Sequence, residues 1–530
     1  VWPGQKYQVL KNIPANQQLI VTEKDATGIF DYENYFKAAP ELFTDVTNSI
    51  NVNWKHMEND FLDYNSQYLI PHAQSTRGPK IAVADVNKDG LDDFYTCAGP
   101  GEQGTLMIQT KDGKFTPSSL VIKDRIKLTE EVDAVFFDAN ADGYPDLYVV
   151  SGGNQYADGT PLLADQLYLN NGKGVLEQQV NSIPKIYKNK SCVSAADIDH
   201  DGDLDLFVGG LADAKQYGIP QPSYLLLNDG KGIFTKTTDA VIKLENTGIV
   251  TASAFADINK DGWEDLVVTG EWMPIKIFIN KKGLFSETEI PKTTGLWQTI
   301  HTADVNGDGF TDLLAGNWGH NTKLFAGKNG PVKLYIKDFD KNGSVEQVLC
   351  YTIDEAEYTF LAKDELERSL PVLKKAYLTY SEVAGKTVQY MFYDLLKDYV
   401  ELKAETLSSS CFINDGKGGF VTKRLPVELQ LAPVFSFAPV SVNGQNSFLA
   451  AGNFYGVIPY EGRYDALPPT LFGFSKAAGG FQTGVNFSSV DGEIRDIKWI
   501  GSAEGKSILV IARNNKNLLF FKQGEGYKFN

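Results

Sequence analysis

The sequence predicts an all-β chain: a seven-bladed β-propeller with a small helical insertion and an N-terminal β fragment. Three observations predict it. A unit of strand, aspartate-rich loop and strand returns five times from Ile81 onward. Most copies are followed by two further strand-like runs joined by an Asn/Gly turn, which makes four antiparallel strands per repeat. At 530 residues the chain is too long for one ordinary core, and a repeat architecture accounts for its length.

The copies read IAVADVNKDGLDDFYTCAG from Ile81, AVFFDANADGYPDLYVVSGG from Ala134, VSAADIDHDGDLDLFVGG from Val193, ASAFADINKDGWEDLVVTG from Ala252 and IHTADVNGDGFTDLLAGN from Ile300. Short alternating or fully apolar runs flank each loop and read as strands. The turns that follow, as in SYLLLNDGKGIFTK from Ser223 and CFINDGKGGFVTK from Cys411, carry the Asn and Gly that accept the positive φ of a hairpin. Two loop-poor segments, from Val434 and from Ile494, read as blades that kept their strands and lost the loop, which brings the expected number to seven.

Each loop follows D-x-[DN]-x-[DN]-G-x-x-[DE]. Position one is Asp85, Asp138, Asp197, Asp257 and Asp304; position three is Asn87, Asn140, Asp199, Asn259 and Asn306; position five is Asp89, Asp142, Asp201, Asp261 and Asp308. A glycine at position six permits the tight bend, and position seven, Leu91, Tyr144, Asp203, Trp263 or Phe310, offers a backbone carbonyl. The acid at position nine, Asp93, Asp146, Asp205, Asp265 or Asp312, closes the set. Such a hard, oxygen-only donor set suits Ca²⁺ better than zinc or copper. An EF-hand shares the first half of the pattern but needs a Glu at position twelve between two helices, and here position twelve is apolar or small. A sixth, weaker copy, Asp338, Asp340, Asn342, Ser344 and Glu346, begins only 34 residues after the fifth and is expected within an insertion or a distorted outer hairpin.

The formal net charge of −17 argues against a nucleic-acid groove or an anionic membrane surface and suits a binder of cations. Cys97, Cys192, Cys350 and Cys411 lie far apart, mostly in strand-like runs, and read as buried free thiols. No apolar run is long enough for a membrane span. Val1 does not open a signal peptide, so the chain is expected to be soluble and either processed or cut from something longer.

At these residues Asp85 to Asp93 and its relatives resemble the FG-GAP/VCBS repeat of integrin-type propellers, and more closely the ASPIC/UnbV-associated, cartilage-acidic-protein-like family of bacterial surface type. The lead-in from Phe43 resembles that family's segment before its first calcium loop, and residues 1 to about 24, with W-P-G, Q-x-L and N-I-P-A-N-Q in order, look like the last strands of an ASPIC/UnbV domain. The resemblance implies integrin-like calcium loops, the end of an ASPIC/UnbV-like β domain and linker at 1–41, and a propeller at 42–530; the stretch at about 331–410 departs from the family's pattern and reads as a partly helical insertion. It also implies an extracellular, cell-surface location, outer-membrane-associated in a bacterium. The expected partners are a surface protein complex, such as a SusC/SusD-type transporter or its accessory lipoproteins, and a glycan or peptide ligand. Neither nucleic acid nor a direct membrane span is expected.

The function expected is binding or scaffolding rather than catalysis, and no catalytic residue is assigned. None of the five histidines stands in a zinc spacing, and no G-x-S-x-G, P-loop or dinucleotide motif appears. The alternative is a polysaccharide-active lyase or hydrolase whose carboxylate pair hides among the metal loops. Trp297, His301, Trp318 and His320 would either line a central channel or pack between blades, the second being expected; GNWG at Gly316 and GNFYG at Gly452 read as structural turns. In the insertion, Leu370, Leu373, Tyr377 and Tyr380 recur at helical spacing beside Lys374 and Lys375, a mixture that either covers a blade edge or anchors a partner.

Overall fold

The computed structural model describes all residues except 33–41, 119, 121–128, 325, 327–329, 443–444, 488, 503–506 and 525–530. Among the described residues, seven antiparallel sheets of four ring strands each follow one another, and sheet 4 carries a short fifth strand, Gly295–Leu296. Sheet 1 is Ile81–Ala84, Asp93–Thr96, Thr105–Gln109 and Phe115–Ser118. Sheet 2 is Glu130–Phe137, Asp146–Gly152, Gln166–Asn170 and Leu176–Gln179; sheet 3 is Lys190–Ala196, Asp205–Gly210, Tyr224–Leu227 and Thr235–Lys236. Sheet 4 is Ile249–Ala256, Asp265–Met273, Lys276–Lys281 and Leu284–Glu289, and sheet 5 is Thr299–Ala303, Asp312–Gly316, Ser410–Asn414 and Phe420–Arg424. Sheet 6 is Val434–Val442, Gln445–Gly452, Thr470–Ser475 and Gly480–Asn486. Sheet 7 takes Ile494–Gly501, Ser507–Arg513 and Leu519–Gln523 from the end of the chain and Phe43–Asp45 from its beginning.

The first strand of each sheet packs on the first strand of the next, and that of sheet 7 packs on that of sheet 1, so the cycle closes. This is the arrangement of a β-propeller. Closure is covalently crossed: Phe43 pairs with Gln523 and Asp45 with Phe521, so the outer strand of sheet 7 comes from far upstream.

The core lies between the faces of neighbouring sheets. Ala82, Tyr95 and Leu106 of sheet 1 meet Leu147, Val149 and Tyr168 of sheet 2, and the same layering recurs around the ring. Second strands are buried on both faces, which is why DLYVVSG and DLFVGG read as continuous apolar runs. Their glycines allow close approach: a Cβ on Gly452 would stand 1.8 Å from the carbonyl oxygen of Pro433. All four cysteines are buried and unpaired.

The stretch between the second and third strands of sheet 5 builds a sheet of its own, ordered Ala356–Thr359, Glu346–Ile353, Val332–Lys337 and Val400–Ala404. The sixth loop joins its two central strands. Three short helices follow, Lys363–Ser369, Pro371–Ala376 and Val388–Phe392. Asp364 and Glu365 in the first turn and Arg368 in the last favour the first of them electrostatically, and Pro371 opens the second. Their apolar side chains, Leu366, Leu370, Leu373, Val388, Met391 and Phe392, are buried in one cluster with Leu334 and Phe339 of the added sheet. Leu370 and Leu373 are therefore core residues, unavailable as anchors for a partner, while Tyr380 stays exposed.

Candidate metal centre

Every loop uses its own side chains to fold the turn. In loop 1 the N–H groups of Asp89 and Gly90 donate to Asp85 Oδ1 and Oδ2 at 3.1 and 2.8 Å, and the N–H of Leu91 donates to Asp89 Oδ1 at 3.0 Å. The same three bonds set loops 2, 4 and 5, from Asp142, Gly143 and Tyr144, from Asp261, Gly262 and Trp263, and from Asp308, Gly309 and Phe310. Loop 6 repeats them with Asn342, Gly343 and Ser344. Loop 3 keeps the bonds from Gly202 and Asp203. These bonds hold the position-one and position-five side chains against the backbone of the turn. Asn87, Asn140, Asn259 and Asn306 each hold the position-five carboxylate through Nδ2, at 2.7 to 3.2 Å.

Position nine bonds backbone on both sides of it. Asp265 Oδ2 accepts from the N–H of Ile258, at position two of its own loop, and Oδ1 accepts from the N–H of Asn280 on the third strand. Asp93, Asp146, Asp205 and Asp312 do the same with Gln109, Asn170, Asn228 and Asn414 on their third strands. Burial, partly offset by these N–H donors, pushes the carboxyls of Asp93, Asp146 and Asp205 up to about 7 and that of Asp265 to about 6. Glu346 in loop 6 accepts from Phe339 at 2.9 Å and is raised to about 7, also by burial.

In sheets 2 to 5 an asparagine at the end of the third strand reaches further, into the preceding sheet. Asn170 Nδ2 donates to the carbonyl of Val86 in loop 1, Asn228 to Ala139 in loop 2, Asn280 to Ile198 in loop 3 and Asn414 to Ile258 in loop 4, all at 2.7 to 2.9 Å. Sequence reasoning took these asparagines only as turn residues; their recurrence two residues beyond the paired aromatic or leucine was the available signal.

Loops also touch one another. Lys88 Nζ lies 4.4 Å from the ring centroid of Tyr144, Lys260 Nζ lies 4.1 Å from that of Phe310, and the His200 imidazole stacks on the Trp263 indole at 3.7 Å. Each contact runs from position four of one loop to position seven of the next.

The donors fit a hard cation. In loop 3 one oxygen each from Asp197, Asp199 and Asp201 lies within 4.8 Å of the others, and in loop 6 Asp338, Asp340 and Glu346 converge likewise. Among the described residues, Asp197 Oδ1 and Asp203 Oδ1 are buried without a protein hydrogen-bond partner, the first at position one and the second at position seven of the loop. Burial and the neighbouring Asp201 charge raise Asp199 above the usual carboxylate range.

The remaining singled-out residues pack. Trp297 is buried and its Nε1 donates to the carbonyl of Thr293; Trp318 lies against His72, Phe454 and Tyr464. His301 stands against Phe448, lowered to about 4 by burial, and His320 Nε2 pairs with Ser408 Oγ at 2.7 Å. In the GNWG and GNFYG turns Asn317 Oδ1 accepts from Leu296 and Trp318, and Asn453 Oδ1 accepts from Leu467.

One polar cluster had no signal in the sequence. The fully buried Glu271 carboxylate accepts from Arg77 Nη2, Tyr217 OH and Gln298 Nε2 at 2.7 to 3.0 Å and pairs with His72 Nε2 at 2.8 Å. Burial alone would raise its pKa; His72 and Arg77 overcome this and hold it well below the usual range. Through this cluster the lead-in segment is bonded to sheets 4 and 5.

A ring of four-stranded sheets with aspartate loops between first and second strands defines a repeat propeller. FG-GAP-like repeat models match residues 85–149, 138–208 and 257–315, and an FG-GAP repeat model matches 296–335; the chain carries FG-GAP repeats. Comparison with curated proteins gives no match. Among solved structures, the chain is similar to one showing specific recognition of non-reducing terminal N-acetylglucosamine by an Agrocybe aegerita lectin, at 16% identity and TM-score 0.31, covering 61% of this chain and 71% of the other. It is similar to YCF48 bound to D1 peptide, at 9% identity and TM-score 0.36 over 89% and 99% of the two chains. An ancestral GH74 enzyme matches at 10% identity and TM-score 0.41 over 87% and 49%.

Proposed function

We propose that the chain is a seven-bladed, calcium-binding extracellular β-propeller of the ASPIC/UnbV-associated type, acting as a binding or scaffolding module in a cell-surface assembly. The observation that carries this reading is the recurrence of one acidic loop between first and second strands, with three carboxylate oxygens converging in loop 3 and in loop 6. Positions one, three, five and nine would hold Ca²⁺ through side chains, with position seven offering its carbonyl. The ion would supply charge neutralisation within each loop, not chemistry. The partner would be a surface transporter of SusC/SusD type or its lipoproteins, with a glycan or peptide as further ligand.

Metal analysis after EGTA stripping and dialysis against CaCl₂ tests the first half. Five or six Ca²⁺ per chain are expected, one for each loop; none would sink the reading. Co-purification from the native membrane tests the second, and recovery without a surface protein would remove the scaffolding role.

A further inference from the structure

We propose that the position-four residues Lys88, His200 and Lys260 are positioning residues for the metal site of the following loop, and that they couple the five propeller loops into two groups, 1–2 and 3–4–5. The proposal rests on the reading of these loops as calcium sites.

The geometry recurs three times with one rule. Position four has positive φ in every loop of this set, +57° at Lys88, +61° at His200 and +60° at Lys260. That conformation turns the side chain out of its own loop. It lands on position seven of the next: Lys88 over Tyr144, His200 flat on Trp263 with planes 11° apart, Lys260 over Phe310. Position seven is the residue whose N–H bonds the position-five carboxylate, at 2.8 Å for Tyr144, 2.9 Å for Trp263 and 2.9 Å for Phe310. Fixing its side chain therefore fixes one wall of the donor set. The lysines also approach the bend itself: their Nζ atoms lie 3.0 Å from a Cβ built on Gly143 and 3.4 Å from one on Gly309.

The chain of contacts has one break. Loop 2 carries Ala141 at position four, also at positive φ, and loop 3 carries Asp203 at position seven, so neither side supplies a ring or a cation. Loop 5 carries Gly307 there, and the sequence of sheet 6 has no aspartate loop between its first two strands. A loop ordered by its own ion holds position four still, and a still cation or imidazole orders the neighbour's position seven. Binding at one loop thus lowers the ordering cost at the next.

The test is a calcium titration of the full metal-stripped chain by calorimetry, with a double-mutant cycle between loops 3 and 4. Asp261→Ala removes loop 4; it should weaken loop 3 about three- to tenfold in wild type and leave it unchanged in the His200→Ala background. Lys260→Ala should uncouple loops 4 and 5, and Lys260→Arg should restore the coupling because guanidinium serves the same aromatic face. Asp142→Ala should not affect loop 3. All these positions are exposed or half-exposed, and a retained melting transition confirms folding. Independent binding at the full number of sites, or equal coupling across the break between loops 2 and 3, overturns the proposal; absence of calcium binding altogether overturns the underlying reading instead.

Discussion

The side-chain amide of Asn280 donates to the main-chain carbonyl of Ile198 across 2.8 Å, tying the third strand of sheet 4 to the loop of sheet 3. The same amide donates to Glu264 at 3.2 Å, and its Oδ1 accepts from Gly283, so one buried side chain joins two sheets and a hairpin. Asn280→Ala strips two carbonyls of their donor and should cost about 2–4 kcal/mol. Urea unfolding of this variant beside Lys417→Ala, an exposed loop change expected within about 0.5 kcal/mol, checks it. Equal midpoints would mean that the clasp contributes nothing.

Removing calcium should lower the melting temperature. The six loops hold 19 carboxylates at the proposed side-chain ligand positions, four in loop 3 and three in each other loop, and six Ca²⁺ would move the formal charge from −17 to −5. With each loop binding at about 10⁻⁴–10⁻³ M, millimolar calcium should raise the transition and EGTA should reverse it. A calorimetric trace that EGTA does not shift would contradict this.

Loop 6 should act on its own sheet. It lies between strands of the added sheet rather than between strands of the ring. Asp308→Ala is therefore expected to lower the main transition, whereas Asp340→Ala should leave it within about 1 °C and speed proteolysis between 317 and 409. The reverse pattern would place loop 6 in the ring's cooperative unit.

Replacing Asp364 to Lys386 with a Gly/Ser linker should unfold the added sheet, because Leu366, Leu370 and Leu373 are buried in its core. Leu370→Ala alone should cost about 2–4 kcal/mol for that unit, and Tyr393→Ala, at a side chain 76% exposed, almost nothing. Hydrogen exchange of the strand Val332–Lys337 reads the difference. Unchanged protection in Leu370→Ala would mean that the helices contribute nothing to the added sheet.

Stability should fall between pH 4.5 and 7 through Glu131. Burial pushes its carboxyl up to about 7, against bonds from the Ala98 and Gly104 N–H groups and the Tyr95 hydroxyl. A folded pKa above the unfolded one gives stability that is complete below about 4.5 and lost as pH rises through about 7. Asp133, raised to about 6 by burial, acts in the same direction, while Glu271, held low, acts in the opposite one. Glu131→Gln in saturating calcium should therefore gain on wild type with rising pH, by about 3 kcal/mol at most. Parallel melting curves against pH would exclude Glu131 as the source.

What the sequence by itself determined is what nine consecutive residues can encode. The aspartates, the glycine bend and the strand runs on either side of each loop were legible because their partners are neighbours in the chain. Buried thiols and the turn asparagines were legible for the same reason, from local apolar runs and from turn chemistry. Tertiary structure alone decided the rest, because each remaining partner lies in another repeat. Asn280 finds Ile198 82 residues away, Glu271 finds His72 199 residues away, and Phe43 closes the ring on Gln523. Helical spacing located Leu370, Leu373, Tyr377 and Tyr380, but which of them faced the core depended on the added sheet beneath. A residue's type states what bond it can make; the packing of one sheet on the next chooses the partner.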